Sequence, residues 1–152
     1  MPTSLYETDF GAWLQQQAEA LRAKDWPTLD VDNLIEELDT LGRSERNALW
    51  SHLRILLMHL LKWRYQPERR TRSWRGSITR ARQHVARRLQ QPSLRRELPD
   101  FITEAYTDAR RLAADETGMP LSRFPETCEW TAAELQNLDF LPQVVGEEGP
   151  EG

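Results

Sequence analysis

The sequence predicts an all-α fold: an antiparallel helical bundle of four main helices, one of them long and central, with an irregular C-terminal segment. Three observations carry this expectation. Apolar residues recur at steps of three and four over most of the chain, no stretch sustains a strand-like alternation, and Pro and Gly fall where helices should stop. The 152 residues hold one domain's worth of core. The expected organisation is a single helical domain over residues 1–142 and a disordered acidic tail, QVVGEEGPEG, over 143–152.

Residues 6–24 form the first expected helix. Tyr6, Phe10, Trp13, Leu14, Gln17 and Leu21 share one face, and Asp25-Trp26-Pro27-Thr28 breaks the pattern. Asp30 suits an N-cap, because its carboxylate can accept from a first-turn N–H. Leu34, Leu38, Leu41, Glu45, Leu49, Leu53, Leu56, Leu60 and Trp63 then keep one phase, which predicts a single helix over 31–65. Gly42 lies inside this stripe. The alternative is two helices joined at Gly42-Arg43-Ser44, with Ser44 capping the second.

Pro67 ends the long helix, and Arg69 to Arg72 read as a basic loop. Trp74, Ile78, Ala81, Val85 and Leu89 mark a third helix whose outer faces are nearly all Arg. A fourth carries Leu98, Phe101, Ile102, Ala105, Ala109, Leu112 and Ala113, and Gly118 with Pro120 stops it. The remainder is proline-punctuated, with one short turn after Thr131 as cap. Expected core anchors are Phe10, Trp13, Leu34, Leu38, Leu53, Leu56, Leu60, Trp63, Ile78, Val85, Phe101, Ala105 and Leu112.

Charge is unevenly spread. Residues 62–96 carry twelve basic side chains and one acid, Glu68, whereas the flanks are acidic and the whole chain is −4. Eighteen of the twenty basic residues are Arg, which favours forked pairing with carboxylate or phosphate. The longest uncharged apolar run, Ile55 to Leu61, is too short to span a membrane. The first residues, MPTSLYETDF, lack the basic and apolar regions of a secretory signal. One cysteine, Cys128, cannot build an internal disulfide framework. These features suit a cytoplasmic protein with no membrane contact.

The elements DVDNLIEEL, LGRSER, LLMHLLKW, YQPE and SW, then ETGMPLSRFPETCEWT and DFLP, follow one another in order. In this the chain resembles the bacterial family catalogued as domain of unknown function twenty-nine, over about residues 6–142. The resemblance implies an all-helical bacterial fold. It carries no established activity and no catalytic residues.

Three groups of residues could carry chemistry. Arg69, Arg70, Arg72, Arg75 and Arg80, with Trp63, Tyr65 and Trp74 nearby, have the composition of an anion-binding or nucleic-acid face. Acidic rows on the neighbouring helices favour a different fate: at least half of Arg72, Arg75, Arg80, Arg82, Arg87 and Arg88 are expected to pair with the chain's own carboxylates. His52 and His59, seven apart on one helix face and ~10.5 Å from each other, would need a carboxylate such as Glu37, Glu36 or Glu45 and a ligand from another helix to hold a metal.

Arg46 and His52 fit the spacing of an Arg followed by Asn and, four to six residues on, a His. That is similar to the motif of the higher-eukaryote and prokaryote nucleotide-binding (HEPN) superfamily, which includes metal-independent ribonucleases. His52 would then be the general acid or base and Arg46 would stabilise the phosphate. With 18 Arg and three His in the chain, roughly one such pairing arises by chance. Phosphate-loop, dinucleotide and nucleophile-elbow motifs are absent, and no cofactor is expected. The sequence therefore favours a non-catalytic binding module with an Arg-rich helix, acting on a protein partner or as a homodimer. Ribonuclease and metal-binding readings are the alternatives.

Overall fold

A computed structural model describes residues 4–144. Among these there are seven α-helices and no strand: α1 (Leu5–Thr8), α2 (Phe10–Ala23), α3 (Val31–Tyr65), α4 (Arg72–Arg88), α5 (Pro92–Arg96), α6 (Leu98–Thr117) and α7 (Ala132–Gln136). The fold is all-α with one long central helix, as the periodicity predicts. The tail expected over 143–152 lies almost wholly outside the described residues. By its internal contacts the chain divides into two compact units, before and after the Ser44–Glu45 bond.

The first unit contains α1, α2 and the start of α3. The helix expected over 6–24 is in fact two, because Asp9 leaves helical geometry (φ −149°, ψ 86°) and its carboxylate accepts from the Ala12 N–H to cap α2. Lys24 ends α2 in the left-handed region at φ 55°. Polar pairs join α1 and α2 to the start of α3 in antiparallel order. The Tyr6 hydroxyl donates to Glu37, and the Trp13 indole N–H donates to Asp30 at 3.1 Å. Gln17 amide and carbonyl groups meet Thr28 O and Asp30 N. Asp30 precedes α3 as expected, its carboxylate taking the Trp13 indole and the Asn33 amide.

Among the described residues of this unit only Trp13, Gln17 and Ala20 are buried. The expected anchors Phe10 and Leu38 are exposed, Leu38 by 66%, and Leu34 is only half-buried. The unit is two helices thick, so each helix has one covered face and the apolar stripe is wider than that face. Gly42 does not break α3. It costs the helix about 1 kcal/mol relative to Ala, and no atom of the described residues lies within 4 Å of where its Cβ would be.

The second unit packs α3 from Glu45 onward with α4, α6 and the C-terminal segment. Leu49, Leu53, Leu56, Leu57, Leu60 and Leu61 of α3 are buried against Ile78 and Val85 of α4 and Phe101 of α6. Ala105, Ala109 and Ala113, four apart and sealed from solvent, give α6 a slim face that lets neighbours approach closely. Trp63 and Leu112 sit at the margin of this core.

Gly118, at φ 72°, caps α6 in the left-handed conformation that glycine adopts without steric cost. The segment beyond it is irregular but pinned. The Tyr106 hydroxyl donates to Pro125 O at 2.6 Å, and the Arg110 fork donates to Phe124 O at 3.2 and 3.0 Å. Thr131 caps α7 in a full capping box with Glu134.

Candidate anion-binding surface

Helix α4 starts where Thr71 caps it, its side chain accepting from the Trp74 N–H at 3.2 Å. The buried side of the helix is Ile78, Ala81, Arg82 and Val85. At 100° per residue, Arg72, Arg80 and Arg87 fall within an arc of about 80° on the opposite side and span roughly 22 Å of axis. All three are exposed, as are Arg69 and Arg75.

The expected pairing of this cluster with the chain's own carboxylates is not what is found. Among the described residues, none of Arg72, Arg75, Arg80, Arg82, Arg87 and Arg88 is in an ion pair. Of the acidic row expected to face them, Glu104, Asp108 and Asp115, only Asp108 is ion-paired among the described residues, and it pairs with α3, as do two further carboxylates, Glu116 and Glu97. Asp108 pairs with Arg54 at 3.5 Å, Glu116 with Lys62 at 2.8 Å, and Glu97 with Arg46. The reason is orientation. Helix α4 buries its apolar side together with Arg82, so Arg72, Arg75, Arg80 and Arg87 project outward, where no carboxylate among the described residues pairs with them.

Several arginines serve the fold through backbone carbonyls. Arg70 forks onto Trp63 O at 3.0 and 2.8 Å and lies over the Trp63 ring at 4.4 Å, capping the last turn of α3. Arg82, only 2% exposed, donates to Leu135 O at 3.0 Å and Glu134 O at 3.5 Å, and burial pulls its pKa down. Arg95 bonds Leu89 O at the end of α4. Of the five residues predicted to bind anions, Arg69, Arg72 and Arg75 are exposed with no acidic partner among the described residues. Arg80 hydrogen-bonds only to Ser77 Oγ among the described residues, at 3.3 Å, and Arg70 is held by the fold.

The aromatic side chains nearby are already covered. Lys62 Nζ sits over Trp74 at 4.5 Å, and Trp63 carries Arg70. The surface therefore offers forked charge rather than open stacking faces.

The histidines have partners that the sequence did not suggest. The rings of His52 and His84 stack at 4.1 Å between centroids with 4° between planes, bringing α3 and α4 together. Burial, then the His84 ring and the Arg88 guanidinium, hold the His52 pKa below its usual value. His59 is depressed by burial first and then by Lys62, against an opposing pull from Glu116, with Arg80 the weakest influence. Glu37 accepts the Tyr6 hydroxyl, which pushes the Tyr6 pKa up to about 12. Among the described residues no three His, Cys, Asp or Glu gather closely enough to hold a metal ion.

Arg46 pairs with Glu97 and lies over the Phe101 ring at 5.1 Å, while His52 faces His84. Six residues apart on a helix, they project about 120° from each other. The protomer thus does not join them into one site. His84 was missed because a lone histidine in an Arg-rich helix has no spacing signal. Its place among the buried positions Ala81 and Val85 was the available clue.

Fold and surface together define an all-helical protein with an outward-facing arginine stripe. No helix among the described residues is long and apolar enough to cross a membrane. The chain belongs to the family described as Domain of unknown function DUF29, whose profile matches residues 5–141. It matches no curated protein and no solved structure.

Proposed function

We propose that this protein is a non-catalytic binding module that holds the phosphodiester backbone of a nucleic acid on the Arg-rich surface of α4. The observation that supports this reading is the set of exposed arginines, Arg69, Arg72, Arg75, Arg80 and Arg87, with no carboxylate partners among the described residues. Guanidinium forks match phosphate oxygens, and a 22 Å stripe spans about six phosphates of one strand at 3.4 Å each. The covered Trp63 and Trp74 faces argue for backbone contact without base stacking, hence for weak sequence preference.

The test is fluorescence anisotropy with labelled single- and double-stranded oligonucleotides over a salt series. The affinity should fall with rising salt, by a slope near 0.9 per phosphate neutralised on duplex DNA. Arg72→Glu with Arg87→Glu should remove binding and leave the helical signal intact. No binding at low salt would overturn the reading, and binding to an acidic peptide in its place would assign the surface to a protein partner. RNA cleavage that survives chelator and disappears in His52→Ala would replace the module with the ribonuclease alternative. Stoichiometric metal lost in His59→Ala would support the metal-binding one.

A further inference from the structure

The first unit has an apolar face that none of its own described residues covers. On α2, Phe10, Leu14 and Leu21 are exposed on a stripe beside the buried Trp13, Gln17 and Ala20. On α3, Val31, Ile35 and Leu38 are exposed beside the half-buried Leu34 and Glu37. In an antiparallel pair these offsets turn both stripes to the same side of the hairpin. Leu41, 64% exposed, and Gly42 continue the α3 stripe.

We propose that this face is a homodimer interface, meeting the same face of a second copy so that two helical hairpins close into a four-helix bundle. Two helices with three buried residues between them are too thin to hold their own core, and a second hairpin supplies the missing layer. The area is sufficient. The exposed side chains placed on this face, Phe10, Leu14, Leu21, Val31, Ile35, Leu38 and Leu41, present roughly 650 Å² per protomer, so two copies would bury about 1,300 Å², within the range of specific interfaces. The polar residues leave the face free, since Asp32, Glu36 and Asp39 lie 80–140° around the helix from Val31. Gly42 fits the arrangement too, because a missing side chain on an open stripe admits close approach of another helix.

Charge separates this occupant from others. Residues 1–44 carry three basic and nine acidic side chains, a net of −6. Two such units repel at long range, so a dimer built this way tightens as salt screens the repulsion. A basic partner, including the Arg-rich surface of another copy, would loosen instead.

Light scattering on the full chain at about 50 µM should give twice the 17.8 kDa protomer mass, with a dissociation constant that falls between low and high salt. Ile35→Glu with Leu38→Glu should weaken association at least about tenfold, and Leu138→Glu, at an exposed site outside the unit, should leave it unchanged. Because the double variant could lose its fold, two further readouts apply. Leu38→Ser should weaken the dimer while keeping the helical signal, and the unfolding temperature of the unaltered chain should rise with protein concentration. A monomer at both salt levels would overturn the proposal, as would a dimer indifferent to Leu38→Ser or one that loosens with salt.

Discussion

Replacing Arg82 by Met removes a guanidinium from the sealed side of α4 while keeping most of its volume. Its Nε donates to Leu135 O at 3.0 Å and its second arm reaches Glu134 O at 3.5 Å, both among the last carbonyls of α7. Glu134 O also accepts from the Asn137 N–H at 3.2 Å, so only the Leu135 carbonyl loses its close partner. A buried hydrogen bond from a charged donor is worth about 1.5–3 kcal/mol. Relief of the buried charge offsets part of this, which leaves an expected loss of about 2 kcal/mol. Arg82→Ala adds a cavity and should cost about 4 kcal/mol. The exposed Arg87→Met should stay within about 0.5 kcal/mol of the unaltered protein. Urea unfolding followed by helical ellipticity gives all three values, and hydrogen exchange at α7 amides should report local opening in the Arg82 variants alone. Equal midpoints for Arg82→Met and Arg87→Met would refute the idea that one arginine of this helix is structural and its neighbours are not.

Other outcomes follow from the same packing. His52 and His59 have folded pKa values below the unfolded one, so the unfolded chain binds more protons near pH 6 and stability must fall as pH drops below about 6.5; melting temperatures at pH 7.5 and 5.5 should show the drop, and His59→Gln should reduce it. Tyr6 is the opposite case: its raised pKa means the Glu37 bond stabilises the fold below pH 10 and is lost as pH climbs toward about 12. Ultraviolet titration should therefore lose its transition near 12 in Tyr6→Phe. Leu57→Ala, at a fully buried position of α3, should cost about 2–5 kcal/mol in urea unfolding. The Cys128 thiol, held above its ordinary pKa by burial, should react slowly with a disulfide reagent at pH 8 and at least about tenfold faster in urea.

The sequence by itself determined the helical class, the single long helix through Gly42, the stop at Gly118 and the Thr131 cap. These follow from periodicity and from local backbone chemistry, which act within a few residues. It also located the basic segment. Tertiary structure alone decided which carboxylates that segment meets, because composition counts charges and geometry assigns them. Asp108 belongs to the acidic row expected to face α4, yet it pairs with Arg54 of α3, and Glu116 and Glu97 likewise pair with Lys62 and Arg46 of α3. The same limit applies to Leu38 and Leu53, which occupy one sequence stripe. Leu53 is sealed and Leu38 lies open, because a hydrophobic pattern records which side of a helix seeks cover but not whether the chain itself supplies it.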